Sequence, residues 1–199
     1  MEKQLIITVG REFGSGGHVI AEALAERFSI PLYDDNLLHE IAEHKNVDHA
    51  ELKKYDEVPK NIFLHRNVNG HRSSPEEHIA EMQFSLMKSK AESGDSFIVV
   101  GRCAEHVLKG HPHLVSIFVL GDFECKRARI AALHNISNEE AEKMIRYKDK
   151  KRKTYHNFYC SGKWGDSRNY DLSINSSRLG IDVTVDMLEQ YIKTRMENM

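Results

Sequence analysis

The sequence predicts an α/β protein with a parallel sheet covered by helices on both faces. Three observations predict it. Short apolar runs without polar alternation, the pattern of strands buried on both sides, recur along the chain. Stretches with helical apolar spacing separate them. The first run ends directly in a glycine-rich segment, Gly10 to Gly17, which leads into a helical stretch.

Leu5 to Val9 reads as the first strand. Val19, Ile20, Ala23, Leu24 and Phe28 then keep helical spacing, and Ile30 to Tyr33, with Pro31 inside, forms a short second strand. Leu37, Leu38 and Ile41 begin another helix. From about residue 46 to 74 the apolar pattern fades into polar and charged residues, which predicts an irregular excursion. Order resumes at Ser74-Pro75-Glu76-Glu77, a capping box with proline at the first helical position, and the helix should reach about Ala91. Phe97 to Val100 and Leu114 to Leu120 are the third and fourth strands. Asp122 can cap a helix through Ile130, and Ser137-Asn138-Glu139-Glu140 opens a long helix to roughly Tyr155 by a second capping box. Leu172 to Asn175 is a weaker fifth strand, and Val185, Leu188 and Ile192 mark a closing helix.

The 199 residues suffice for one core, so a single domain over 1–199 is expected. With Lys+Arg 28 against Asp+Glu 30 the net charge is -2, and few aromatics interleave with the basic residues, so neither nucleic acid nor an anionic membrane is an expected partner. Cys103, Cys125 and Cys160 form no Cys-x-x-Cys pair, and no apolar run approaches a membrane span or a signal peptide, which predicts a reduced, cytoplasmic protein. His106, His111 and His113 lie close together, but no Cys, Asp or Glu at ligand spacing completes a metal set there.

The chemistry concentrates after the strands. Glycines in Gly10-Arg11-Glu12-Phe13-Gly14-Ser15-Gly16-Gly17 allow positive φ, so backbone N–H groups can face an anion while the following helix adds its positive end. The segment fits G-x-x-x-x-G-K-[ST] in no register: Gly17 takes the lysine place and His18 the hydroxyl place. In a parallel sheet, the residues after every strand share one edge, which here collects Asp34, Asp35, Gly101, Arg102, Asp122, Asn175, Ser176 and Ser177. A basic excess follows: Arg127 and Arg129, then Arg146, Lys148, Lys150, Lys151, Arg152 and Lys153, leading into Lys163-Trp164-Gly165-Asp166. A lid over residues 146–170 would bring that charge over phosphates.

Three stretches together resemble the cytidylate kinase-like family of P-loop kinases: Ile6 to Gly17, Val100-Gly101-Arg102-Cys103-Ala104, and Lys163-Trp164-Gly165-Asp166 with Asn169-Tyr170-Asp171-Leu172 and Asn175-Ser176-Ser177. The resemblance implies a P-loop kinase fold with five parallel strands, ATP and Mg2+ as cofactors, and a nucleoside monophosphate (CMP/dCMP-like) or other small acceptor opposite the triphosphate. It implies that Arg11, Gly14, Ser15, Gly16, Gly17 and His18 hold the nucleotide. Asp34 or Asp35 would position the acceptor or a magnesium water, and Arg102 would meet the acceptor phosphate. Arg127, Lys148 and Arg152 would carry the lid charges. The missing lysine leaves a second reading open, a nucleotide-binding sensor of the same fold.

Overall fold

A computed structural model describes residues 3–34, 36–45, 48–56, 58 and 74–198. Its sheet has five parallel strands, β1 (Ile6–Arg11), β2 (Leu32–Tyr33), β3 (Phe97–Val100), β4 (Leu114–Leu120) and β5 (Leu172–Asn175), in the order β2-β3-β1-β4-β5. Strand β1 is buried along its whole length between its neighbours, pairing Val9 with Val100 on one side and Arg11 with Val119 on the other. Two covered faces explain why β1, β3 and β4 read as unbroken apolar runs.

The helices are α1 (Gly17–Phe28), α2 (Asn36–Lys45), α3 (His49–Lys53), α4 (Pro75–Glu92), α5 (Ala104–Val107), α6 (Phe123–His134), α7 (Asn138–Tyr159), α8 (Ser176–Leu179) and α9 (Ile181–Glu197). On one face, Ile7, Val9, Ile98 and Ile117 pack with Ile20 and Leu24 of α1 and Val185, Leu188 and Ile192 of α9. On the other, Ile6, Phe97 and Val99 pack with Leu37, Met87, Ala104 and Leu108. Each such fully buried aliphatic side chain contributes about 1.5–3 kcal/mol relative to exposure. No described helix is long and apolar enough to cross a membrane.

Both capping boxes form, Ser74 with Glu77 and Ser137 with Glu140, each by reciprocal side-chain bonds to backbone N–H groups. Asp122 does stand at the N-cap of α6, but its carboxylate makes no capping bond; it accepts instead from Asn175 (2.8 Å) and pairs with Arg178 (3.3 Å). The expected irregular excursion at 46–74 needs correction over residues 48–56. There α3 starts on Asp48, whose side chain accepts from the Ala50 N–H, and buries Leu52 against Leu38 and Ile41. One buried leucine and one cap are too short a signal for periodicity to register. Residues 46, 47, 57 and 59–73 of that stretch lie outside the described residues.

Candidate active site

All five strands end at one edge, and the order reverses at β1, so the Gly10–Gly17 loop opens where ligands of such sheets bind. The residues after the other strands lock together there. The Ser176 hydroxyl donates to the Ser15 carbonyl (2.5 Å), and the Asp122 N–H donates to Ser177 Oγ (3.0 Å).

The loop is held in a conformation only its own residues permit. Gly14 and Gly16 take φ of 83° and 82°, and a Cβ on Gly16 would lie 2.3 Å from Ile181 Cδ1. Ser15 is fully buried; its hydroxyl donates to the Glu12 carbonyl (2.9 Å) and accepts from the Gly17 N–H (3.3 Å). Arg129 donates to the Gly14 carbonyl (2.5 Å). The carbonyls of Glu12, Gly14 and Ser15, which would repel a phosphate, are thus engaged by Ser15, Arg129 and Ser176.

A Cβ on Gly17 would stand 2.6 Å from Arg11 Cβ. The place of the usual loop lysine therefore has no room for a side chain, because the stem of the largely buried Arg11 fills it. Behind the loop, Lys126 is buried between two carboxylates, Glu12 and Asp149, with Nζ 3.0 Å from each. Asp149 also accepts from the Phe13 N–H (2.6 Å), tying α7 to the loop. This anchor sets Arg152, one turn further along α7, with its guanidinium carbon 5.6 Å from the Phe13 ring centroid and Nη1 3.5 Å from the Arg11 carbonyl.

Across the edge, Arg102 is 2% exposed and joins Asp34 (2.7 Å), Asp56 (2.8 Å) and the Val100 carbonyl (3.3 Å). Arg102 and Cys103 both take positive φ, 53° and 57°, an arrangement costing about 1–2 kcal/mol per residue outside glycine. Asp34 also meets His18 Nδ1 at 3.1 Å. Burial alone would raise the Asp34 pKa, but the hydrogen bond from His18 and the charges of Arg11 and Arg102 outweigh it and hold the carboxyl well below its usual range. The same hydrogen bond raises His18, against the cost of its partial burial.

Two clefts result. One follows the loop, with Gly14, Gly16, His18, Arg129 and Leu133 in its wall. The other lies beyond β1 and β3, lined by Arg102, Glu105, Tyr155, Trp164 and Tyr170. Arg11 and Arg152 line both.

The cytidylate kinase-like family matches residues 6–178, most of the chain and every stretch just described. The chain belongs to this family. A cytidylate kinase of Methanopyrus kandleri is 29% identical over 203 residues, covering 97% of this cytidylate kinase-like chain and 95% of its own. The crystal structure of an uncharacterized protein from Eubacterium ventriosum is 39% identical, with a TM-score of 0.75 over 96% of this chain and 99% of its own. The shikimate kinase of Bacteroides thetaiotaomicron, 14% identical, shares the P-loop kinase fold at a TM-score of 0.56 over 95% of this chain and 98% of its own.

Of the residues singled out from the sequence, this cytidylate kinase-like structure gathers Arg11, Gly14, Ser15, Gly16, Gly17, His18, Asp34, Arg102 and Arg152 around the two clefts. Arg127 pairs with Glu124 of its own helix, and Lys148 is exposed on α7; neither lines these clefts. Asp35 lies outside the described residues. Lys126, Arg129, Asp149 and Asp56 have structural roles at the site that were not assigned from the sequence. In the sequence Lys126 is one more basic residue beside Arg127 and Arg129, and Asp149 interrupts the basic run from Arg146 to Lys153 with no local signal of its partner.

Proposed function

We propose that the protein is an ATP- and magnesium-dependent phosphotransferase whose acceptor is a nucleoside monophosphate of the CMP/dCMP type or another small phosphorylated or hydroxylated molecule. The observation that carries this reading is the shared wall: Arg11 and Arg152 line both the loop cleft and the Arg102 cleft. A phosphoryl group passing between two sites needs positive charge at the junction, since its transfer is mostly positioning and charge stabilisation. The cytidylate kinase of Methanopyrus kandleri supports the nucleotide class of acceptor.

ATP supplies the transferable phosphoryl group and magnesium neutralises its oxygens. The loop amides and the start of α1 receive the phosphates, with Arg129 bracing the Gly14 carbonyl behind them. Arg11, whose stem occupies the space beside Gly17, and Arg152 replace the missing lysine. Asp34, ionised between His18 and Arg102, lines the loop cleft and is suited to hold a magnesium water, whereas Glu12, which also lines it, is engaged by Lys126. Arg102 orders the acceptor side, and the stretch 146–170 acts as the lid that carries Arg152.

The deciding assay measures phosphoryl transfer from magnesium-ATP across nucleoside monophosphates and a small-metabolite panel, beside ATP binding by calorimetry. Transfer to one acceptor class is expected. ATP binding without any transfer favours the sensor, the reading that the lysine-less loop favours, and absence of ATP binding rejects both.

A pH effect follows from His18. Its folded pKa lies above the ordinary 6.5, so the imidazolium is fully present below that value and is lost as pH rises through the raised one. Nucleotide affinity of the wild type relative to His18→Gln is expected to be about 3–10-fold higher at pH 6, from roughly 1 kcal/mol for a partly exposed charge, and to converge with the variant as pH rises through the raised value. Calorimetry at constant ionic strength checks this; a constant ratio across pH would remove His18 from phosphate binding.

A further inference from the structure

The sequence points away from metal binding at His106, His111 and His113, but folding gathers a different donor set. Glu105 of α5 and His156 and Cys160, one turn apart at the end of α7, are all buried, and one ligand atom from each lies within 4.8 Å of the others. His156 Nε2 is 2.6 Å from Glu105 Oε1, and Cys103, also buried, packs in one cluster with Cys160. A thiol, an imidazole and a carboxylate thus meet in one place, with a second buried thiol, Cys103, packed beside them although it is far from Cys160 in sequence.

A hydrogen-bonded strut between α5 and α7 needs only Glu105 and His156. It does not account for the buried thiols gathered beside it. We infer that Glu105, His156, Cys160 and Cys103 form a tetrahedral site for a thiophilic divalent cation, zinc by its donor preference. Sulfur, imidazole and carboxylate ligands suit zinc and reject magnesium and calcium, which take oxygen sets. Ligands about 2.0–2.3 Å from zinc stand roughly 3.3–3.8 Å from one another, so Glu105, His156 and Cys160 close on a cation by modest shifts and Cys103 turns in to complete the set. Binding replaces the proton shared by Glu105 and His156 and those of the thiols, and releases them to solvent.

The position gives the site a purpose. Cys103 follows Arg102, and His156 lies one helical turn beyond Arg152. A bound cation therefore clamps the end of α7 to the corner after β3 and fixes the two arginines relative to each other.

The test uses the full chain, reduced and freed of metal, titrated with Co2+ and then with zinc against a chromophoric chelator. One Co2+ per chain is expected, with tetrahedral d–d bands and a near-ultraviolet thiolate charge-transfer band that zinc displaces. The spectrum should persist in Cys125→Ser, whose thiol is exposed and outside the donor group. Cys160→Ser should lose the charge-transfer intensity in part and bind zinc at least 10-fold more weakly, and His156→Gln should weaken it similarly. Circular dichroism establishes that each variant is folded. Because either change could disturb folding, wild-type protein supplies a second readout: zinc should protect Cys103 and Cys160, but not Cys125, from alkylation read by peptide mass. Absence of a thiolate band in the wild type, a band that disappears with Cys125, or equal alkylation with and without zinc overturns the assignment.

Discussion

Arg102→Ala is expected to destabilise the protein by about 3–5 kcal/mol, because it strands two carboxylates around a buried cation that no longer exists. Asp34 and Asp56 are 29% and 16% exposed, so water relieves part of the penalty and the lower end of that range is expected. Urea unfolding at pH 7 measures it. Arg102→Lys retains a positive charge at that position and should lose less. In the folded Lys variant, acceptor kcat/KM should fall about 100-fold while ATP affinity changes less than about 3-fold, the pattern of a lost oriented charge on one side only. Equal losses on both would place Arg102 in general scaffolding and not on the acceptor side. Acid should mimic the mutation. The folded Asp34 pKa is depressed, so its contribution is complete above the unfolded value near 3.9 and is lost as pH falls through the lower, folded value.

Arg152→Ala should act in the opposite way, costing less stability than Arg102→Ala and removing turnover. Arg152 is only partly buried, and its contacts with the loop include a 3.5 Å bond to the Arg11 carbonyl and stacking on Phe13, each of modest strength. Facing both clefts, it is placed to act on charge that grows during transfer, an effect worth about 10²–10³-fold in kcat for one preorganised donor. Steady-state kinetics beside a melting curve separates the two outcomes. A drop in kcat below 5-fold, against roughly 100-fold expected, would mean that Arg11 alone carries the junction. Arg127→Ala, at a residue of α6 that pairs with Glu124 and lines neither cleft, serves as the comparison and should change neither quantity appreciably.

Local chemistry was legible in the residues. Strands β1, β3, β4 and β5 begin and end within a residue or two of their apolar runs, because burial on both faces writes itself into consecutive side chains. The two capping boxes work over three residues, and both form where Ser74 and Ser137 announce them. The glycine loop was equally local, since positive φ at Gly14 and Gly16 is a property of those residues themselves. Even the convergence of Arg102, Asp34 and Ser176 at one edge follows from parallel strands alone. What folding decided is which charge meets which. Arg102 pairs with Asp56 across 46 positions of chain, Lys126 bridges Glu12 and Asp149, and Arg11 takes the room that a side chain at position 17 would need. Helical spacing can put Arg127 and Arg152 on helices, but it cannot say that one meets its own neighbour while the other faces both clefts. That difference depends on how α6 and α7 turn against the sheet, a matter of side-chain packing between elements, and packing has no period to read along the chain.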